Sequence, residues 1–358
     1  MPMPASTAPR IHGGLLDEEL QALGIDPAQV LDFSVSTNPY GPCPAVVDAV
    51  RSTPIDRYPD PTARTVRAVM ASQLGIHPDQ VALGNGAADL LWTLARTLIR
   101  PGSTAVIVEP TFCEFRAAVH AAGGYAVQWR AREADRFAVD LAAIGQLARD
   151  EKADVLYLCA PNTPTGIPIP ASEVTVLALA HRQVTVVLDQ SFLPLSEQFA
   201  DATVRFPDNV VCVRSLTKEH AIPGVRVGYL ISTPRVAAQV EAYRPAWTTS
   251  AMAQAAALVA CRQTGFVEES RRKLLADRER LAAMLRNLDL DPLPSATPFF
   301  LVRVRDGGKL RQRLLQRHQI LVRDCTSFGL ADFIRLSARP EPDCERLLAA
   351  LKEELPSC

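Results

Sequence analysis

The sequence predicts an α/β protein: a large domain on a mostly parallel sheet covered by helices, followed by a smaller α+β lobe. Three observations predict it. Strand-like apolar runs alternate with helix-like patterns through the middle of the chain, and several of those runs are continuous and β-branched, as in strands buried on both faces. Beyond residue 235 or so the pattern changes to long helices and short strands. The length of 358 residues suits two units, or one large domain with a lobe.

The elements justify this in chain order. "PDQVALGNG" leads into the helical "AADLLWTLARTLI", "STAVIVEP" into "TFCEFRAAVHAAGG", and "ADVLYLCAP" into a turn. "VTVVLD" and "NVVCVRS" are short buried-strand runs that end in polar residues. Residues 45–235 therefore read as the large domain. After "GYLIST" come the long helical pattern "GFVEESRRKLLADRERLAAMLRNL", the strand-like "FFLVRV", "ILVRD" and "DFIRLSA", and a last helix "CERLLAALKEEL" after Pro340 and Pro342. Residues 236–358 read as a connecting helix and a smaller C-terminal domain. The 28 prolines sit mostly in predicted turns, and no repeat or low-complexity segment is visible.

Composition bounds the partners. A formal net charge of −1, with 48% hydrophobic and 22% charged residues, gives no electrostatic reason to expect nucleic acid or an anionic membrane. Small molecules are the expected partners. Eight cysteines, at 43, 113, 159, 212, 261, 325, 344 and 358, include no Cys-x-x-Cys pair, so neither a zinc ribbon nor a secreted disulfide framework is expected. "MPMPASTAPRIHGG" has no apolar core of signal-peptide length, and no later run approaches a membrane span. The expected compartment is a reducing cytoplasm.

Ligands of open parallel sheets collect at the carboxyl ends of the strands, and the polar landmarks fall there. Gly84, Asn85 and Gly86 follow a strand and precede a helix, where free N–H groups suit a phosphate; alone, the same motif is an ordinary strand-to-helix turn. Asp189 ends "VTVVLD", as a cleft carboxylate or a helix cap. Lys218 follows the next run and Arg226 lies beyond Pro223 and Gly224. A carboxylate, an amine and an arginine opposite a phosphate cradle suit pyridoxal phosphate. The amine forms an imine, the carboxylate keeps the pyridine nitrogen protonated, and arginine with hydroxyls holds the phosphate. A free lysine, with pKa about 10.4, is a poor nucleophile, and burial beside cations lowers that value.

At "RSLTKEHAIPGVRVGYL" the chain resembles fold-type I pyridoxal-phosphate enzymes of the class I/II aminotransferase superfamily, in particular histidinol-phosphate aminotransferases and threonine-phosphate decarboxylases. The resemblance covers nearly the whole chain and implies a seven-stranded-type sheet sandwiched by helices. Residues 1–44 would then form an N-terminal arm that contributes to the small domain, the active site and a dimer. It implies Lys218 as the Schiff-base lysine, with Ser215, Thr217, Arg226 and the N–H groups of Gly86 and Ala87 on the cofactor phosphate. "EPTFCEF" implies Phe112 as the ring stacked on the pyridine, with Phe115 a core residue. "RYPDP" implies that Tyr58 reaches the phosphate of a neighbouring subunit, hence a homodimer with shared active sites. "DFIRLSARP" implies Arg335 as the substrate-carboxylate arginine.

"IHGG", "LDFSVSTNPYGP" and "ILVRDCTSFGL" resemble segments of the decarboxylases. They imply Arg323 with Arg335 as a two-arginine anion site, lined by His12, Gly13 and Asn38; a salt bridge around Asp324 is the alternative for Arg323. The chain also departs from the family. Thr163 stands where an asparagine usually reaches the cofactor's phenolic oxygen, which suggests Asn162 or water in its place. Phe192 stands where aminotransferases usually have tyrosine, and Gln190 and Ser191 replace the common Glu-Ala. The expected reaction is decarboxylation of a phosphorylated amino acid such as L-threonine O-3-phosphate. The alternatives are a histidinol-phosphate-type aminotransferase, β- or γ-elimination or replacement, and a non-catalytic cofactor-binding regulator.

Overall fold

The computed structural model describes residues 12–355. Residues 1–11, the start of the segment assigned to the N-terminal arm, and Cys358 lie outside the described residues. The strands in chain order are β1 (Leu31–Asp32), β2 (Val81–Gly84), β3 (Thr104–Glu109), β4 (Tyr125–Arg130), β5 (Val155–Cys159), β6 (Thr185–Asp189), β7 (Val210–Ser215), β8 (Gly228–Ile231), β9 (Phe299–Arg303), β10 (Ile320–Leu321), β11 (Arg323–Asp324) and β12 (Phe333–Ser337).

Seven of them form one sheet in the order β2-β8-β7-β6-β5-β3-β4. The pairs from β7 across to β4 are parallel, and β8 alone runs against its neighbours β7 and β2. A parallel return needs a long crossover, whereas the short segment between Ser215 and Gly228 holds only turns and a 3-10 turn at Pro223–Val225, so β8 must come back antiparallel. The segment carrying Lys218 and Arg226 is therefore a hairpin connection across the top of the sheet. Of the two apolar runs read as doubly covered strands, β7 is buried along its length and β6 at every residue but its first; β2 and β5 are also buried throughout. The edge strand β4 was not legible as one, because its residues are half-buried or exposed and lack the β-branched run.

The C-terminal region has its own core. β9, β11 and β12 form an antiparallel sheet in the order β11-β12-β9, and β1 pairs in parallel with β10. Leu31 and Phe33 pack there with Leu281 and Leu285 of the helix Thr264–Arg286 and with Leu347 and Leu351 of the helix Glu341–Glu354. "ILVRD", expected as one strand, is two: Ile320–Leu321 pairs with the N-terminal segment, and Arg323–Asp324 pairs with β12. Val322, fully buried between them, marks the break.

Candidate active site

A cavity of about 580 Å³ opens over the carboxyl ends of β2, β5, β6 and β7. Its wall includes Ala87, Phe112, Thr163, Asp189, Ser215, Thr217, Lys218 and Arg226 from the large-sheet side. His12, Gly13, Ser34, Arg323 and Arg335 close it from the opposite side.

One end is an anion cradle. The helix Ala87–Leu98 begins immediately after Gly86, which has φ +87°, a conformation that favours glycine. Any Cβ on Gly86 would collide with the Arg226 guanidinium, and one on Gly228 would meet the Ala87 nitrogen at 2.8 Å. Two glycines thus let the guanidinium and the helix N-terminus come together. Arg226 Nη1 donates to the Pro223 carbonyl at 2.9 Å, and the Ser215 and Thr217 hydroxyls lie 2.6 Å apart. A helix N-terminus, two hydroxyls and a guanidinium match the needs of a phosphate.

Lys218 stands between this cradle and a buried carboxylate. Burial first, then the Arg335 and Arg226 charges, bring its ammonium down to about 8, so about a tenth of it is the nucleophilic amine at pH 7, far more than for a free lysine. Its Nζ lies 5.8 Å from the centroid of the Phe192 ring. Asp189, at the end of β6, accepts from Tyr157 Oη at 3.1 Å and from the Ser191 N–H at 2.9 Å. Burial raises its carboxyl above the usual range against the pull of those two donors and of Lys218. A cationic ring nitrogen placed there would relieve that penalty.

The opposite wall is cationic. Arg335 Nη1 donates to Thr163 Oγ1 at 2.7 Å and Nη2 to the Ser34 carbonyl at 2.6 Å, while its Nε is buried with no hydrogen-bond partner. Arg323 Nη2 donates to Ser327 Oγ at 2.7 Å, and its guanidinium lies 5.0 Å from the Phe328 ring centroid. The two arginines are direct partners in the β11/β12 ladder. Burial lowers both, Arg335 to about 10. Like charges directly opposite on adjacent strands destabilise a sheet, so this pair suits an anionic ligand. Gly13 lies against Ser34, whose carbonyl a Cβ would meet at 2.5 Å, and Gly14 N–H donates to Ser34 Oγ at 2.8 Å. His12 Nε2 is bonded to Glu114 Oε1 at 2.8 Å, with its ring 5.4 Å from that of Phe112.

Three residues expected at the site, Asn162, Asn38 and Gly86, do not line the cavity. Asn162 is not at the cavity wall: its amide oxygen accepts from Thr111, and its nitrogen donates to the Pro110 carbonyl and to Thr165. The side chain is consumed in tying its loop to the one after β3. Asn38 does not line the cavity either; its N–H and its amide donate to the carbonyls of Lys218 and Glu219, which holds the lysine loop from behind. Gly86 acts by lacking a side chain rather than by facing the space. Tyr58 is 78% exposed, stacked on Trp247 with centroids 4.6 Å apart. Phe115 is a fully buried core residue stacked on Tyr157, and Phe112 lines the cavity. Arg323 is not tied to Asp324, whose carboxylate accepts from Thr326.

Sequence reasoning missed Tyr157, Ser34, Glu114 and Trp92, whose roles come from contacts distant in sequence. It also missed a polar network behind the lysine. Arg214 Nε donates to Gln190 Oε1 at 3.0 Å, and Glu219 is buried with Oε2 unpartnered and its carboxyl pushed up to about 8 by burial.

A mostly parallel seven-stranded sheet with an amine, a carboxylate and a phosphate cradle at its strand ends defines a pyridoxal-phosphate enzyme of fold type I. Residues 28–351 match the family of class I and II aminotransferases, and the chain belongs to that family. It is 31% identical to histidinol-phosphate aminotransferase 1 of Thiobacillus denitrificans, over 97% of this chain and 91% of that protein. It is 30% identical to a protein of Caldanaerobacter subterraneus provisionally named threonine-phosphate decarboxylase, over 88% of each. The histidinol-phosphate aminotransferase of Sinorhizobium meliloti, solved with pyridoxal-5'-phosphate, superposes with a TM-score of 0.86 at 26% identity, over 96% of this chain and 95% of that one. The cofactor is pyridoxal 5'-phosphate.

Proposed function

We propose that this enzyme decarboxylates an amino acid carrying a second, phosphate-like anion, with L-threonine O-3-phosphate as the test substrate. One observation carries the reading: Arg323 and Arg335, buried and directly opposite in one antiparallel ladder, both face the cavity. Burying two guanidinium groups side by side is costly unless anions meet them, and each can grip an oxyanion in bidentate fashion. The unpartnered Nε of Arg335 leaves a donor for the substrate carboxylate, and Arg323 and His12, which also line the cavity, would meet the distal anion.

Bound pyridoxal phosphate supplies an aldehyde that captures the substrate amine and a ring that accepts the electron pair released at Cα. Lys218 is the residue that holds the cofactor, and its amine, once free, holds the proton to be delivered at Cα. Asp189 keeps the pyridine nitrogen charged, with Tyr157 and the Ser191 N–H fixing its oxygens. Ala87, Ser215, Thr217 and Arg226 would hold the phosphate, and Phe112 would lie against the ring. Thr163, bonded to Arg335, orients the carboxylate-binding group rather than the cofactor oxygen. By holding the substrate carboxylate, Arg335 would select between loss of CO2 and loss of a proton at Cα.

The test is incubation of pure holoenzyme with threonine phosphate. Release of CO2 and aminopropanol phosphate supports the reading, and absence of both sinks it. A second reading, transamination of the histidinol-phosphate type, rests on the 31% identity over nearly the full length; glutamate formed from 2-oxoglutarate and histidinol phosphate would establish it. We further infer a homodimer with Tyr58 facing the second copy. Its exposed ring is stacked on Trp247, and Ile55, three residues before it, is 83% exposed. A monomer by sedimentation would refute this. Among the described residues no helix is long and apolar enough to cross a membrane.

A further inference from the structure

At the cavity mouth three chemically different donors converge. His12 Nε2, Cys113 Sγ and a Glu114 carboxylate oxygen all lie within 4.8 Å of one another. His12 and Glu114 are already in contact at 2.8 Å, close to the spacing of two ligands on one small cation. Imidazole, thiolate and carboxylate together suit a zinc-class ion, whereas magnesium and calcium prefer oxygen alone. The other Glu114 oxygen accepts from Trp92 Nε1 at 2.6 Å, an outer contact of the kind that orients ligating carboxylates. The His12 side chain is 44% exposed, and His12 and Glu114 both line the cavity, which provides an entry path. Three protein ligands leave at least one coordination position open toward the substrate side.

We propose that His12, Cys113 and Glu114 bind a zinc-class divalent cation that inhibits the enzyme from the cavity mouth. On binding, Cys113 releases its thiol proton to solvent and forms the metal–sulfur bond. The imidazole carries its proton on Nδ1 and gives the Nε2 lone pair to the metal, and the hydrogen bond between His12 and Glu114 is replaced by two bonds to one ion. The ion thereby ties the N-terminal segment to the start of the helix Glu114–Ala121 and removes His12 from the substrate wall. The inference goes beyond the proposed reaction and holds for either reading, since both use this cavity.

The experiment is titration of the holoenzyme with cobalt(II), read in the visible d–d bands at wavelengths longer than the cofactor absorbs, then displacement by zinc. Of the other described cysteines, five are buried and only Cys261 is partly accessible, so a one-to-one signal is expected. Cys113→Ser should keep basal turnover, lose the cobalt bands and need about a hundredfold more zinc for half-inhibition, the top of the range for even an outer-shell partner. Trp92→Phe should weaken zinc about tenfold. Cys113→Ala, checked for the wild-type melting temperature, substitutes if the serine variant folds poorly. Absence of d–d bands at stoichiometric cobalt would overturn the proposal. So would equal zinc inhibition of wild type and both Cys113 variants.

Discussion

The two walls of the cavity are built in opposite ways. On the large-sheet side each polar group follows the end of its own strand: Ala87 after β2, Asp189 closing β6, Lys218 after β7. On the other side the groups come from Ser34, Arg323, Arg335 and His12, and the hydrogen bond from Arg335 to Ser34 spans 301 positions of sequence. The cofactor wall is a property of local strand ends, and the substrate wall exists only when the C-terminal sheet is docked against it. Substitutions on the first should therefore damage the chemistry itself, and those on the second should damage the choice of substrate.

The largest expected effect is on the cofactor wall. Lys218→Ala should lower turnover by at least about a thousandfold, the range for losing an activated nucleophile and proton carrier together, and the cofactor should wash out on gel filtration. Retained turnover would break the contrast. Asp189→Asn should cost about a hundredfold in kcat with little change in KM, as expected when a preorganised charge partner is removed. On the substrate wall, Arg335→Lys should instead raise KM by about tenfold to a hundredfold, the worth of one charge-assisted bidentate contact, with a smaller change in kcat. Equal damage to kcat at Arg335 would show that both walls act on the bond-breaking step.

The smallest effect concerns stability behind the cofactor wall. Glu219 has its folded pKa raised from 4.5 to about 8, so the folded protein holds a proton that the unfolded chain releases. Its stabilising share is complete below pH 4.5 and is lost as pH rises through about 8. The melting temperature of Glu219→Gln relative to wild type should therefore climb across that window, measured by calorimetry of the two proteins side by side. A flat difference would mean that Arg214, Lys218 or a hydroxyl such as Tyr229 keeps the carboxylate charged.

The same contrast explains what was legible in the sequence. Asp189, Lys218 and Arg226 could be read because β-branched runs announce the strands and the strands place whatever follows them. Asn162 and Thr163 could not be separated, because their roles turn on which of two adjacent side chains points inward, and Asn162 is taken by hydrogen bonds to Pro110 and Thr111, 52 and 51 positions away. β4 escaped notice because an edge strand has no second cover to select apolar residues. The opposition of Arg323 and Arg335 depends on register, set by where "ILVRD" breaks between two sheets. Glu114 looked like an ordinary helical acid, since its partners lie 22 and 102 positions away.

The hairpin between β7 and β8 carries one further consequence. Its two ends are stitched by the pairing of Ser215 with Gly228, and between them lie both the amine and the guanidinium that line the cavity. The segment works as a ruler: its length sets the span between the Lys218 amine and the Arg226 guanidinium. Adding or removing a single residue within it would displace both groups at once.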